Sequence, residues 1–248
     1  MMKMYQTEWQ GIRFSEFTRP YHDRIADTDF YEKFYREFFR RFTSQEQLDA
    51  TYLKVKSEAA QFLGERFSGK DARILAIGCG LGIIEMKLQE MGYRNLFFTE
   101  VTDVPLKWVK TAFEQERMFV GYFPECIPAE LDFDVIYLCG VDYCFNQGEL
   151  TGFLAAAKSK LKNGGHCMVI SGSYESEAIV RRTFRLVKAG VKRLLHYLRI
   201  RPLGQLWGVT RSRNEYRASL HGAGYCEIQD GFMKNGTFWI EGVKRSDA

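Results

Sequence analysis

Gly78, Gly80 and Gly82 are spaced two apart in the run Ile74-Leu75-Ala76-Ile77-Gly78-Cys79-Gly80-Leu81-Gly82-Ile83-Ile84-Glu85, where an apolar stretch gives way to a helical pattern. A strand that opens through glycines onto a helix start leaves backbone N–H groups uncovered, so a ligand can press against the main chain. The dinucleotide fingerprint G-x-G-x-x-G would need its third glycine at Ile83, and this mismatch disfavours a nicotinamide dinucleotide. An acidic residue nonetheless stands where a ribose would need it. Glu100 ends the next apolar run, roughly 20 residues past the glycines, and can accept hydrogen bonds from both ribose hydroxyls. A nucleoside without a pyrophosphate satisfies both observations.

The elements that must hold these residues alternate. "RILAIG" reads as a buried strand, "GIIEMKLQEMG" as a helix, "NLFFTE" as a strand and "VPLKWVKTAFEQE" as a helix opened by Pro105. "MFVGYF" reads as a short strand and "FDVIYLCG" as a strong one. Glu149 to Lys162 reads as a helix stopped by Asn163-Gly164-Gly165, before the strand "HCMVISG". Strands alternating with helices imply an α/β fold, a doubly wound and mostly parallel sheet covered on both faces. Two helices precede the sheet, with capping boxes expected at Asp29/Glu32 and Ser44/Gln47. A later helix opens on a Ser212/Glu215 box. The chain closes on a hairpin, because Lys234-Asn235-Gly236 separates "YCEIQDGFM" from "TFWIEGVK".

At this point the sequence resembles the class I S-adenosylmethionine-dependent methyltransferases. "ILAIGCGLG" is similar to their first motif and "FFTE" to their second, which ends the second strand of the sheet on an acid. "FDVIYLCG" is similar to their fourth strand and "LKNGGHCMVIS" to the entry of their fifth. The resemblance covers about residues 70 to 244, apart from a basic insertion. It implies a Rossmann-like, seven-stranded sheet and S-adenosylmethionine as cofactor. It also implies cofactor contacts at Gly78, Cys79, Gly80, Gly82, Glu100, Val101, Cys139 and Gly140, with Glu125 as the acid offered to the adenine. One departure is plain: Ala76 stands where the family usually carries an acid tied to the methionine ammonium. Methyl transfer to a hydroxyl needs an aligned acceptor, a dry site and help in removing a proton. Asp142, just past the fourth strand, is the first candidate base, Tyr143 a positioning residue and His22 the second candidate base. "GVDY" does not match the N-P-P-Y pattern of enzymes that methylate nucleic-acid bases, so no nucleic-acid partner is expected.

The organisation expected is an N-terminal helical cap over 1–70, carrying the aromatics Tyr5, Trp9, Phe14, Phe17 and Tyr21 as a lid, and a methyltransferase domain over 71–244. Within it, 174–210 holds an inserted basic amphipathic helix. Between Ala178 and Arg201 there are eight Lys or Arg residues and no acid, with Val180, Phe184, Val187, Val191, Leu194 and Leu198 at helical steps. This segment suits a cap over the substrate, a peripheral membrane contact through 178–201, a surface for an anionic substrate, or a homodimer contact. With 248 residues, 46% apolar, the chain can bury one sizeable core. Its six cysteines form no C-x-x-C pair, which predicts neither zinc nor a disulfide framework and suits a reducing cytoplasmic setting. The expected activity is O-methylation of a small molecule or of a sugar or lipid-linked glycan. The rivals are a nicotinamide-dependent oxidoreductase and an adenosyl-binding scaffold without catalysis.

Overall fold

The computed structural model describes residues 2–173, 190–191, 196–198 and 203–245. It begins with short strands, β1 (Met2–Gln6), β2 (Glu8–Trp9) and β3 (Ile12–Arg13), followed by helices α1 (Thr28–Arg41) and α2 (Ala50–Arg66). Both helices start on an aspartate that satisfies a free N–H of the first turn. Asp27 accepts from the Phe30 amide at 3.0 Å and Asp49 from the Tyr52 amide at 2.9 Å. The start signals therefore sit elsewhere than at the expected boxes. Asp29 lies inside α1, and the Ser44/Gln47 box closes only a single 3-10 turn, Gln45–Gln47. Phe30, Phe34 and Phe38, four apart on α1, are buried with Ile12 and Phe14 against Leu81, Ile83 and Trp108. Each such ring withdrawn from water contributes roughly 1.5–3 kcal/mol.

The sheet follows: β4 (Ile74–Ile77), α3 (Ile83–Glu90), β5 (Leu96–Glu100), α4 (Val109–Ala112), β6 (Met118–Val120), β7 (Phe133–Cys139), α5 (Gln147–Ser159) and β8 (Leu161–Ser171). After the insertion come β9 (Gln205–Thr210), α6 (Arg213–Gly222), β10 (Cys226–Phe232) and β11 (Phe238–Val243). The seven strands lie in the order β10-β11-β8-β7-β4-β5-β6. β6, β5, β4, β7 and β8 are parallel, whereas β11 runs antiparallel to β8 and to β10. This is the expected Rossmann-like sheet with its terminal hairpin. Ala59 and Leu63 of α2 and Leu88 of α3 cover one face; Leu150 and Leu154 of α5 and Tyr216 and Leu220 of α6 cover the other. The chain runs outward from β4 to β6 on one side and resumes at β7 on the other. The crevice this opens above the carboxyl ends of β4 and β7 is where open α/β sheets bind ligands.

Three stretches depart from the sequence reading, the first and the third because of a long-range partner. The Asn163-Gly164-Gly165 stop is part of β8, because the Gly164 amide donates to Lys244 O at 3.0 Å and the Lys244 amide to Gly165 O at 2.9 Å. "VPLKWVKTAFEQE" forms a 3-10 turn, Val104–Lys107, and a helix of one turn rather than a continuous helix. β1 pairs antiparallel with β9, from Met2 with Thr210 to Gln6 with Gln205, which ties the N-terminal segment across the end of the sheet. The basic segment 178–201 lies outside the described residues except at 190–191 and 196–198. Among the described residues no helix is long and apolar enough to cross a membrane.

β9 passes close to the 3-10 turn Asp142–Cys144, and only a glycine permits the approach: a Cβ at Gly208 would collide with the Tyr143 carbonyl and ring. Gly208→Ala is expected to lower the unfolding free energy by about 1–3 kcal/mol. A urea unfolding midpoint equal to that of the unsubstituted protein would show that β9 is not packed there.

Candidate functional site

A cavity of about 560 Å³ opens at the carboxyl ends of β4, β5 and β7. Its floor is the glycine loop. Gly78 leaves β4 with its amide donating to Thr99 O at 3.0 Å, and Gly80, at φ 60°, turns its own amide onto Glu100 Oε1 at 2.6 Å. The other carboxylate oxygen accepts from the Val101 amide at 3.2 Å. The left-handed backbone at Gly80 strains any side chain, and a Cβ there would stand 3.4 Å from the Tyr35 hydroxyl, narrowing the cavity. Burial raises the Glu100 pKa to about 7 against the pull of those two amides, and the nearby Glu85 carboxylate adds to the rise.

One wall continues from the end of β7. Cys139, Gly140 and Tyr143 line it, and the Tyr143 ring stacks on Trp207 of β9 at 6.1 Å between centroids. Burial pushes the Tyr143 phenol well above its ordinary pKa, so at neutral pH it keeps its proton and can donate it in a hydrogen bond. The opposite wall comes from the N-terminal segment: Trp9, Tyr31 and Tyr35, then Tyr52 and Lys56 on α2. At one mouth Thr28 Oγ1 lies 2.8 Å from the Tyr122 hydroxyl, beside Asp27 and Phe123.

Of the residues singled out from the sequence, the structure brings Gly78, Cys79, Gly80, Glu100, Val101, Cys139, Gly140 and Tyr143 to this one cavity. It does not bring four others. Gly82 caps α3 and packs on Val109 and Met86, away from the cavity. Glu125 is exposed beyond the loop that contributes Tyr122 and Phe123, and Asp27, from the start of α1, is the acid standing beside them. His22 is exposed and tilted against His196, outside the cavity lining. Asp142 is 0% exposed, facing the protein interior.

Asp142 lies outside the cavity lining and anchors the turn that carries Tyr143. Its Oδ2 accepts from Ser171 Oγ at 2.9 Å and from the Tyr216 hydroxyl at 2.5 Å. Arg211, also 0% exposed, donates to Asp142 O at 2.9 Å, to Gln147 Oε1 at 3.2 Å and to Phe145 O. These bonds fix the turn that carries Tyr143. Sequence reasoning missed Trp207, Tyr52, Lys56 and Asp27 as cavity residues. The aromatics of α1 and α2 were visible only as helical periodicity, and Trp207 sits in a strand that local pattern does not announce. Among the described residues no cluster of His, Cys, Asp and Glu could hold a metal ion.

No protein-family model matches the sequence, and no curated protein matches it. Solved structures do resemble the fold. Magnesium protoporphyrin IX methyltransferase of Synechocystis, with S-adenosylhomocysteine bound, aligns at a TM-score of 0.60 and 12% identity, covering 87% of this chain and 97% of its own. Human N-acetylserotonin methyltransferase, in complex with S-adenosylmethionine, aligns at 0.57 and 15% identity over 89% of this chain and 57% of its own. A Burkholderia thailandensis protein of the O-methyltransferase family aligns at 0.51 and 14% identity over 84% of this chain and 63% of its own. This chain thus spans less than two thirds of the human and Burkholderia proteins and nearly the whole of the Synechocystis one. The fold is that of the class I methyltransferases.

Two outcomes follow from the charges of the site. With a pKa of about 7 against an ordinary 4.5, native Glu100 holds its proton more tightly than the unfolded chain does. The stability this confers is full below pH 4.5 and is lost as the pH rises through about 7. Without ligand, the stability of the native sequence relative to Glu100→Gln should therefore fall between about pH 5 and about pH 8. A difference constant across that range, from urea unfolding, would contradict the raised pKa. Arg211→Met, which strands buried carbonyls and the Asp142 carboxyl, should lose about 3–5 kcal/mol of stability in the same assay; an unchanged midpoint would refute its anchoring role.

Proposed function

We propose that the protein is an S-adenosylmethionine-dependent methyltransferase whose acceptor is a hydroxyl on a small molecule. The observation that carries this reading is the Glu100 carboxylate, held by the Gly80 amide at 2.6 Å and facing a cavity at the reversal of strand order. Each carboxylate oxygen has spent one lone pair on a backbone amide and keeps another for a ribose hydroxyl. The residues present fit an adenosyl group. Gly78 and Gly80 leave the backbone bare, and Val101, Phe123 and Asp27 add apolar surface and one acid to the lining, as a purine requires. When bound, the cofactor supplies an electrophilic methyl group on a sulfonium.

What the chain itself does is position and dry the acceptor. Tyr143 keeps its phenolic proton and can orient the acceptor by donating to a polar atom other than the attacking oxygen, with Trp207 of the same cavity stacked on its ring. Trp9, Tyr31 and Phe34 close the cavity from the N-terminal side, which excludes water from a displacement that needs aligned atoms. An aromatic wall of this kind favours flat or apolar acceptors, and two of the solved neighbours are named for small-molecule acceptors, magnesium protoporphyrin IX and N-acetylserotonin. The scaffold alternative predicts cofactor binding without turnover, and the oxidoreductase alternative predicts NADH binding.

Titration calorimetry separates these readings. S-adenosylhomocysteine should bind with saturation and NADH should not. Glu100→Ala should weaken S-adenosylhomocysteine by about tenfold or more, the worth of two hydrogen bonds to a charged acceptor. Binding of NADH alone, or unchanged affinity in Glu100→Ala, would overturn the assignment.

A further inference from the structure

Neither base expected from the sequence, Asp142 or His22, reaches the cavity, and among the described residues no histidine lines it. Two acids do. Glu100 is engaged by the Gly80 and Val101 amides, and Asp27 caps α1 at the Phe30 amide with Arg24 at 3.5 Å. Burial holds the phenols of Tyr31, Tyr35 and Tyr143 and the thiols of Cys79, Cys139 and Cys144 above their ordinary pKa values, so each keeps its proton at neutral pH. Among the described residues, then, no group beside Tyr143 is placed to take a proton from an acceptor hydroxyl.

The lining carries a cation instead. Lys56 of α2 is the one cationic side chain among the described residues that line the cavity. Its ammonium stands 3.4 Å from Cys139 Sγ, 3.5 Å from Cys139 O and 5.7 Å from the Tyr52 ring, and among the described residues it makes no ion pair. Burial opposes its charge, but the Cys139, Tyr52 and Glu85 groups outweigh burial and hold its pKa above the ordinary lysine value. Aromatic surface adjoins it, because Trp9 meets the Tyr52 ring edge-on at 5.4 Å. One wall thus offers apolar ring surface and, next to it, a positive charge with spare donors.

We propose that Lys56 holds the attacking oxygen of the acceptor as an anion, and that the acceptor hydroxyl is an aromatic one rather than an alcohol or a sugar. The proposal rests on the methyltransferase reading above and narrows its acceptor. An opposite charge within about 4–6 Å lowers the pKa of an acid by about 1–3, which brings a phenol, ordinarily near 10, towards neutral pH. An aliphatic hydroxyl is far too weak an acid to follow. The phenol releases its proton to water on binding beside Lys56. In the transfer the ring oxygen gains the O–C bond and the C–S bond breaks with its electron pair left on sulfur, so no side chain need take a proton.

The test reads binding and ionisation on the full chain saturated with S-adenosylhomocysteine, using 2-naphthol and the alcohol of the same ring, 2-naphthylmethanol. The absorbance of bound 2-naphthol should show it ionising at a pH about 1 or more below its free midpoint. Lys56→Met should return that midpoint to the free value or above and, at a pH between the two midpoints, weaken 2-naphthol by about tenfold. The same substitution should leave 2-naphthylmethanol and S-adenosylhomocysteine within about twofold, which also shows that the variant is folded. The unsubstituted protein alone can overturn the proposal, either by failing to bind 2-naphthol or by leaving its midpoint unlowered. A lowered midpoint that survives Lys56→Met, or a loss of S-adenosylhomocysteine affinity with 2-naphthol unaffected, overturns it too. If S-adenosylhomocysteine does not bind the unsubstituted protein, the methyltransferase reading itself fails.

Discussion

The contact on which the site depends is the one between the Gly80 amide and the Glu100 carboxylate. It joins the loop leaving β4 to the end of β5, two strands that are parallel neighbours in the sheet. Because the carboxylate is pinned by backbone, its orientation is set before any ligand arrives, and the ordering entropy is met in folding rather than binding. The same contact explains the glycine. A side chain at position 80 would both strain the left-handed backbone and close the space between Glu100 and Tyr35.

The wall that carries Tyr143 is held by a different device, a buried arginine. Arg211 reaches under the turn at Asp142–Cys144 and saturates the carbonyls of Asp142 and Phe145, while Asp142 binds back to Ser171 and Tyr216. Such a network contributes little net stability compared with apolar packing, but it is unforgiving of a missing member. Its product is rigidity in Tyr143 and Trp207, the rings that face the cavity. The N-terminal segment closes the opposite side by two means: strand pairing of β1 with β9, and an aromatic cluster in which Phe14 stacks on Trp207. The wall and the N-terminal segment therefore share a residue, so the geometry of the cavity is common to both.

Much of the fold was legible because its signals are local. Apolar runs of strand length, glycine stops, the Ser212/Glu215 box and the Asn-Gly turn each need only neighbours in the chain, and the elements they mark are present. Where reading by local signal failed, a competing partner was remote or better placed. Asp27 outcompeted Asp29 as a cap, and Lys244 drew the Asn163–Gly165 segment into β8.

The sequence by itself determined the strands of the central sheet and its closing hairpin, the exposed backbone at the glycines and the acid at Glu100, because each follows from spacing along one stretch of chain. Only the tertiary structure decided which charged side chains face the cavity. Asp142 and Tyr143 are adjacent in sequence, yet one is sealed against Arg211 and the other lines the site, since successive residues of a tight turn point in different directions. Lys56 on α2 and Cys139 at the end of β7 come within 3.4 Å at the cavity only once α2 packs on the sheet. Burial and proximity of this kind are properties of packing between distant segments, and no periodicity or motif along the chain encodes them.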